Sequence, residues 1–351
     1  MELFALDLGN IQTKIKSSKL EKVLPSKFAY YEDLGNQSTS ISKSNLDIKE
    51  YKVNFDDDFT YAWGSDINKA KVKRFTDTIA FENRYSTPNF KLLANFAIGE
   101  LAKDFPEAKD NILNVNIVTG VPTDEFNERS VMSIMKVLKG DHNITIDSIP
   151  MVIRVNEVKV LPQPVGTVYN EFLDSEGYIE HEEYENETVS VVDCGGGTIL
   201  IDTLNNMNLA ETGRTQEEEG AHSLYDSIIA ECSKNEISLT KNDIEKILRE
   251  QEDKYFFKPN KNESYEITKI VNKGIKKYTN NLLNIVDSTL KGTSHIDTLF
   301  FTGGGANIIN QKQVLNRYVR AIFIKDSETA NVNGFYKFGL ATIESDQIEK
   351  Q

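Results

Sequence analysis

The most constraining feature is a strand-turn-strand segment built around an aspartate and three consecutive glycines. Residues 188 to 203 read Thr-Val-Ser-Val-Val-Asp-Cys-Gly-Gly-Gly-Thr-Ile-Leu-Ile-Asp-Thr. The two apolar runs predict two strands, with Asp193 at the end of the first and Gly195, Gly196 and Gly197 in the turn. Glycine admits φ > 0 and lets backbone approach a ligand closely, and successive inward N–H groups form an anion nest. Asp193 could then hold a Mg²⁺ that neutralises a phosphate, since hard oxygen ligands suit that ion. A glycine-rich hairpin turn without a ligand has the same local pattern.

The segment has a second copy. Asp7-Leu8-Gly9-Asn10 lies between the alternating runs Leu3–Leu8 and Ile11–Ile15. A strand ending in Thr-Gly also recurs, at Thr119-Gly120 and Thr302-Gly303. Asp7 to Thr119 is 112 residues and Asp193 to Thr302 is 109. A duplicated α/β unit predicts two similar domains facing each other, with their turn loops closing on one ligand. The expected division is 1–162 and 163–351, with inserted subdomains at about 31–85 and 217–262.

Length supports two domains, because 351 residues exceed what a single core normally sustains. The 54 acidic and 40 basic residues leave a net charge of −14, which argues against a broad surface for a nucleic-acid backbone. No run approaches about 18 apolar residues, and no basic region precedes the first strand, so neither a membrane span nor a signal peptide is expected. The chain reads as cytoplasmic. Its two cysteines and four histidines suggest no disulfide framework or protein-only metal site. Cys194 reads as a small buried hydrophobe, with a reactive thiol as the alternative. The polar stretch 31–85 reads as a mobile insertion, and Asp56-Asp57-Asp58 as a solvated loop. Helical patterns are expected at 88–104, from a Thr123 cap to about 139, from 163 to about 174, from Gly220, from a Thr240 cap, at 264–290 and at 333–346.

Several residues carry candidate chemistry. Asp7 and Asp193 would approach a polyphosphate from opposite walls, with a metal between them. Lys14, on the strand leaving the first turn, can reach a phosphate oxygen, or is an ordinary exposed lysine. Gln163, between prolines at a helix start, suits orientation of a water, since phosphoryl transfer depends on positioning more than on a strong base; alone, Pro-Gln-Pro is a helix-start loop. Gly303-Gly304-Gly305 after a buried strand permits a flat adenine against backbone, or is a plain turn. Gly334 would let the last helix pack closely. Gly9, Asn10, Thr198, Gly220 and Asn307 complete the candidate nucleotide contacts.

Taken in order, these pieces resemble the actin, Hsp70 and sugar-kinase superfamily: first phosphate loop, connecting helix, second phosphate loop, adenosine loop, second connecting helix. Asp7-Leu-Gly-Asn with Lys14, Val118-Thr-Gly-Val-Pro, Gln163-Pro-Val-Gly-Thr and Thr302-Gly-Gly-Gly-Ala-Asn look like ParM, the plasmid-segregating actin of bacteria. The resemblance implies an actin-like fold of two RNase H-like domains flanking a nucleotide cleft. It implies ATP or ADP bound with Mg²⁺, with GTP as the alternative nucleotide. It further implies filaments of the ATP form, hydrolysis by way of Gln163, Asp193 and Asp7, and a DNA-bound adaptor protein as partner, without direct contact to nucleic acid or membrane. In that family Lys14 would contact a nucleotide phosphate. Some members carry Glu where this chain has Gln163, which favours water orientation over general-base action. A small-molecule kinase using the same cleft, a cell-shape or division actin and a nucleotide-sensing scaffold are the alternatives.

Overall fold

The computed structural model describes residues 1–34, 46–80, 83–251 and 253–348, with side chains to residue 342. The chain forms two compact units, Met1–His181 with Asn331–Gln351, and Glu182–Ala330.

In the first unit, β1 (Glu2–Leu8) turns through Gly9–Ile11 into β2 (Gln12–Lys16), followed by β3 (Glu21–Pro25) and β4 (Lys27–Tyr30). The hairpin β5 (Lys49–Val53) and β6 (Asp56–Trp63) and the short β7 (Thr76–Asp77) precede α1 (Pro88–Ala102) and α2 (Glu107–Asp110). Then come β8 (Ile112–Val121), α3 (Glu128–Leu138), β9 (Gly140–Ile146), β10 (Ile149–Pro162) and α4 (Gln163–Phe172). One sheet joins the strands in the order β3-β2-β1-β8-β10-β9-β5-β6-β4-β7. Helix α1 starts at Pro88, with the Thr87 hydroxyl accepting from the Phe90 amide, and is buried on nearly every side, its mostly apolar sequence interrupted by the buried Asn95 and Glu100.

The second unit contains β11 (Thr188–Cys194), β12 (Ile199–Asn205), β13 (Asn208–Leu209) and β14 (Thr215–Glu217). They are followed by α5 (Ala221–Ser233), α6 (Lys241–Glu250), β15 (Phe256–Phe257), β16 (Tyr265–Glu266) and α7 (Thr268–Leu290). The unit ends with β17 (Thr298–Thr302), α8 (Gln311–Arg317) and β18 (Ala321–Phe323), after which α9 (Ala330–Ile348) returns the chain to the first unit. Its main sheet runs β13-β12-β11-β17-β18.

The duplication read from the two aspartates holds at the level of topology. Strands β3-β2-β1-β8-β10 and β13-β12-β11-β17-β18 have the same order, with antiparallel pairs up to the aspartate strand and parallel pairs beyond it. In each unit the parallel neighbour of the aspartate strand carries the Thr-Gly pair at its end, β8 running one residue past Thr119-Gly120 and β17 ending at Thr302.

Three expectations need correction. The segment 49–63 is an ordered hairpin that extends the first sheet through β9, with Tyr51, Tyr61 and Trp63 packed around Phe96. Residues 35–45, also within the expected mobile insertion, lie outside the described residues. Asp56 to Asp58 begin β6 instead of forming a loop, and Asp56 accepts a 2.5 Å hydrogen bond from the Tyr61 hydroxyl. The helix expected from Thr123 begins at Glu128, capped by Asn127, while Thr123 opens a 3-10 turn.

The close approach expected at Gly334 is present within the first unit. A Cβ on Gly334 would overlap the Gly166 carbonyl, so α4 and α9 cross backbone to backbone. The Thr167 hydroxyl donates to Asn331 Oδ1 at 2.7 Å beside that crossing, and Lys337 Nζ donates to the Leu173 carbonyl at the end of α4 at 2.7 Å. No described helix is long and apolar enough to cross a membrane.

Candidate functional site: two aspartate hairpins

Each unit presents one aspartate hairpin. In the first, the antiparallel register sets Asp7 opposite Lys14. Cross-strand partners lie side by side, and Lys14 Nζ reaches Asp7 Oδ2 at 2.9 Å. The carboxylate is 2% exposed and the lysine side chain 16%, so Lys14 is held inside the site by its partner. Gly9 follows at the turn, where a Cβ would press on the Gln12 carbonyl at 2.7 Å. The Gly9 carbonyl accepts from Ser26 Oγ at 2.7 Å and from Arg84 Nη2 at 3.3 Å. Asn10 is exposed at the tip.

The second hairpin differs in how its loop is fixed. Gly195 N donates to the Thr198 carbonyl at 2.9 Å and closes the turn. The carbonyls of Gly195, Gly196 and Gly197 then accept from the amides of Ala221, His222 and Gly220 at 3.0, 2.9 and 3.1 Å. These are among the donors that a helix start leaves without intrahelical partners, so the start of α5 is spent on the loop. Across a planar trans peptide the next N–H is antiparallel to the carbonyl, and no peptide among the described residues is cis. The amides of Gly196, Gly197 and Thr198 are therefore turned away from α5, an arrangement suited to an anion. Gly220 is required by this contact, since a Cβ there would fall 2.5 Å from the Gly197 and Thr198 backbone.

The reason for glycine in the loop differs from the sequence expectation. None of Gly9, Gly195, Gly196 and Gly197 has positive φ; the glycine with φ of +81° is Gly303. Its missing Cβ makes room for Asp193 Oδ1, which any side chain at 303 would strike. Asp193 is 7% exposed and its register partner on β12 is Leu200, so the Asp–Lys pairing of the first hairpin is not repeated. Gly305 lies against the Cys194 carbonyl in the same way, while a Cβ on Gly304 would meet only the Glu328 side chain, at 3.9 Å. Burial pushes the Cys194 thiol well above its ordinary pKa, with the Asp193 charge adding to the shift, consistent with a packing role.

Two anchoring residues escaped the sequence reading. Ser327 is 3% exposed; its carbonyl accepts from Gly303 N at 3.1 Å and its hydroxyl donates to the Gly303 carbonyl at 3.0 Å. Asn307 donates its side-chain amide to the same hydroxyl at 3.1 Å. Arg84 plays the corresponding part beside Gly9. Gln163 is the first residue of α4, half-buried, with no hydrogen-bond partner for its side chain among the described residues.

Comparison with known proteins decides the family. Residues 5–166 match the model for the N-terminal domain of actin-like proteins, and residues 188–338 match that for the Alp7A C-terminal domain. The psk41 ParM protein, solved in its apo form, is 28% identical with a TM-score of 0.78, over 99% of each chain. The chain belongs to the bacterial actin-like ParM family. Alp7A superposes on this actin-like chain with a TM-score of 0.78 at 14% identity, over 99% of this chain and 98% of that one. A Bacillus thuringiensis ParM solved with ATP gives 0.71 at 17% identity, over 99% of each. No curated protein matches by sequence. The actin-like fold, with its duplicated α/β units, thus agrees with the expectation drawn from the two aspartates.

Proposed function

We propose that this actin-like protein binds ATP with Mg²⁺ through its two aspartate hairpins, polymerises in the ATP form, and hydrolyses ATP in the filament. The filament would act in the cytoplasm and move plasmid DNA through a DNA-bound adaptor. The observation that carries the reading is the second loop: three carbonyls committed to α5, three amides turned the other way, and a buried aspartate at the strand end. Its relatives support the rest. One ParM was solved with ATP, and Alp12, with a TM-score of 0.67 at 17% identity, was solved as a filament.

The donor set fits Mg²⁺. Asp7 and Asp193 are buried carboxylates beside the two loops, and a hard ion that keeps its waters is suited to such ligands. When bound, the ion supplies charge neutralisation to the phosphates. The amides of Gly196, Gly197 and Thr198 would hold phosphate oxygens, and Lys14, oriented by Asp7, would lend a positive charge. Gln163 would orient the attacking water, a role that needs a neutral donor and acceptor at a fixed place. Gly304 and its neighbours would receive the adenine. A DNA-bound adaptor suits a chain with a net charge of −14, which is poorly matched to DNA itself.

The test is sedimentation with ATP, ADP and a non-hydrolysable ATP analogue, read beside phosphate release. Pelletable polymer with ATP and the analogue, but little with ADP, is expected. Turnover stimulated by a sugar, with no polymer across salt and magnesium conditions, would replace this reading with that of a kinase.

A further inference from the structure

We infer that Arg84 is a phosphate-binding residue of the first hairpin, its guanidinium completed by an oxygen anion of the bound nucleotide. The inference rests on the nucleotide reading above and adds a ligand contact that the motifs do not contain.

Arg84 opens a 3-10 turn, Arg84–Ser86, just before α1, and is 8% exposed. Nη2 donates to Thr78 Oγ1 at 2.7 Å and to the Gly9 carbonyl at 3.3 Å, which places the guanidinium against the turn itself. Nε is buried and has no hydrogen-bond partner among the described residues. The charged group lies 5.3 Å from the centre of the Phe90 ring and 5.7 Å from that of Tyr85. No carboxylate among the described residues forms an ion pair with it. Asp7, which faces it at longer range, is committed to Lys14; Glu125, the other carboxylate in electrostatic reach, accepts the Tyr85 hydroxyl.

An arginine cannot escape this position by losing its proton at physiological pH. A buried charge without a contacting carboxylate is strongly disfavoured, and a donor left unmade in a buried site adds to that. Tying down Gly9 does not require a charge, since Ser26 does so with a hydroxyl. A guanidinium with an open donor next to an aspartate-glycine turn is matched instead to an anion with several acceptor oxygens, as a polyphosphate has. Burial pulls the Arg84 pKa below its ordinary value, with Tyr85, Glu125 and Asp7 opposing that pull; an arriving phosphate would oppose it further.

The experiment compares dissociation constants for ATP and adenosine in the wild type, Arg84→Gln and Arg84→Lys, with melting temperatures in the absence of ligand. Arg84→Gln is expected to weaken ATP by about tenfold or more, to leave adenosine unchanged, and to flatten the salt dependence of ATP binding. Arg84→Lys, which keeps the charge without the fork, should fall between. An unchanged ratio of ATP to adenosine affinity in both variants, whatever their melting temperatures, would overturn the inference. If Arg84→Gln does not fold, the ratio in Arg84→Lys decides. If the wild type binds no ATP, the nucleotide reading fails, and inorganic tripolyphosphate becomes the probe: loss of its binding in the variants keeps the Arg84 assignment, and equal or absent binding removes it.

Discussion

Gln163 and Gly303 make separable predictions. Replacing Gln163 by Ala removes a side chain that no other described group uses, so folding should be unaffected. Phosphate release should slow on the order of 10²-fold and filaments should persist longer, read by light scattering after a single addition of ATP. Unchanged phosphate release would take Gln163 out of the mechanism. Gly303→Ala acts differently, because φ of +81° and the nearby Asp193 oxygen both oppose a Cβ. Strain of this kind costs about 1–3 kcal/mol, measurable by chemical denaturation, and nucleotide affinity should fall with it as Asp193 is displaced. The candidate-site residues that the sequence singles out, Asp7, Gly9, Lys14, Asp193 and Gly303, sit in short linear motifs where residue type and turn geometry dictate each other. Arg84 and Ser327 were not legible. Each reaches a glycine carbonyl 75 or 24 residues earlier, and only the folded chain brings those positions together.

Among the elements, α1 and the β5–β6 hairpin show what composition conceals. Glu100, fully buried in α1, accepts from Lys22, Lys49, Lys103 and the Tyr51 hydroxyl at 2.7–3.1 Å. Gly, Asn, Ser and the Asp56-Asp57-Asp58 run make the segment 31–85 read as polar, yet Lys49 joins this buried carboxylate while Tyr51 and Trp63 face the core. Few apolar residues set among many polar ones are why an ordered hairpin read as a mobile insertion. Burial alone would raise the Glu100 pKa, but hydrogen bonds from Lys103 and Lys49 and the charges of Lys49 and Lys22 outweigh it and hold the value at about 2, against an ordinary 4.5. A depressed carboxylate stabilises the fold above its unfolded pKa and loses that contribution as pH falls through the folded one. Stability should therefore decline between about pH 4.5 and pH 2, by on the order of 3 kcal/mol from this group. Glu100→Gln should be destabilised at neutral pH and show a flatter acid limb in denaturant titrations; an unchanged limb would sink the assignment. The α4–α9 crossing gives a sterner test: Gly334→Val forces the helix backbones apart and should cost at least about 1–3 kcal/mol, read as a lower melting temperature.

For the whole molecule, two units with one strand order make the duplication a property of topology as well as of motif. The pairing of Asp7 with Lys14, answered by Asp193 with Leu200, and the fastening of the second loop to α5 set the hairpins apart. The copies thus share a scaffold while distributing charge unequally. Nucleotide binding should stabilise the native chain by linkage: ATP at about 100 times its dissociation constant should add about 2.7 kcal/mol in denaturant titrations. No shift with ATP and magnesium would count against the nucleotide reading. The fastening of Gly195, Gly196 and Gly197 to the first amides of α5 also has a consequence for rates. A loop already held by three bonds has no folding step left to perform when its ligand arrives. Observed association rates should then climb in proportion to ligand concentration, as for a simple encounter, without the plateau that a slow rearrangement imposes.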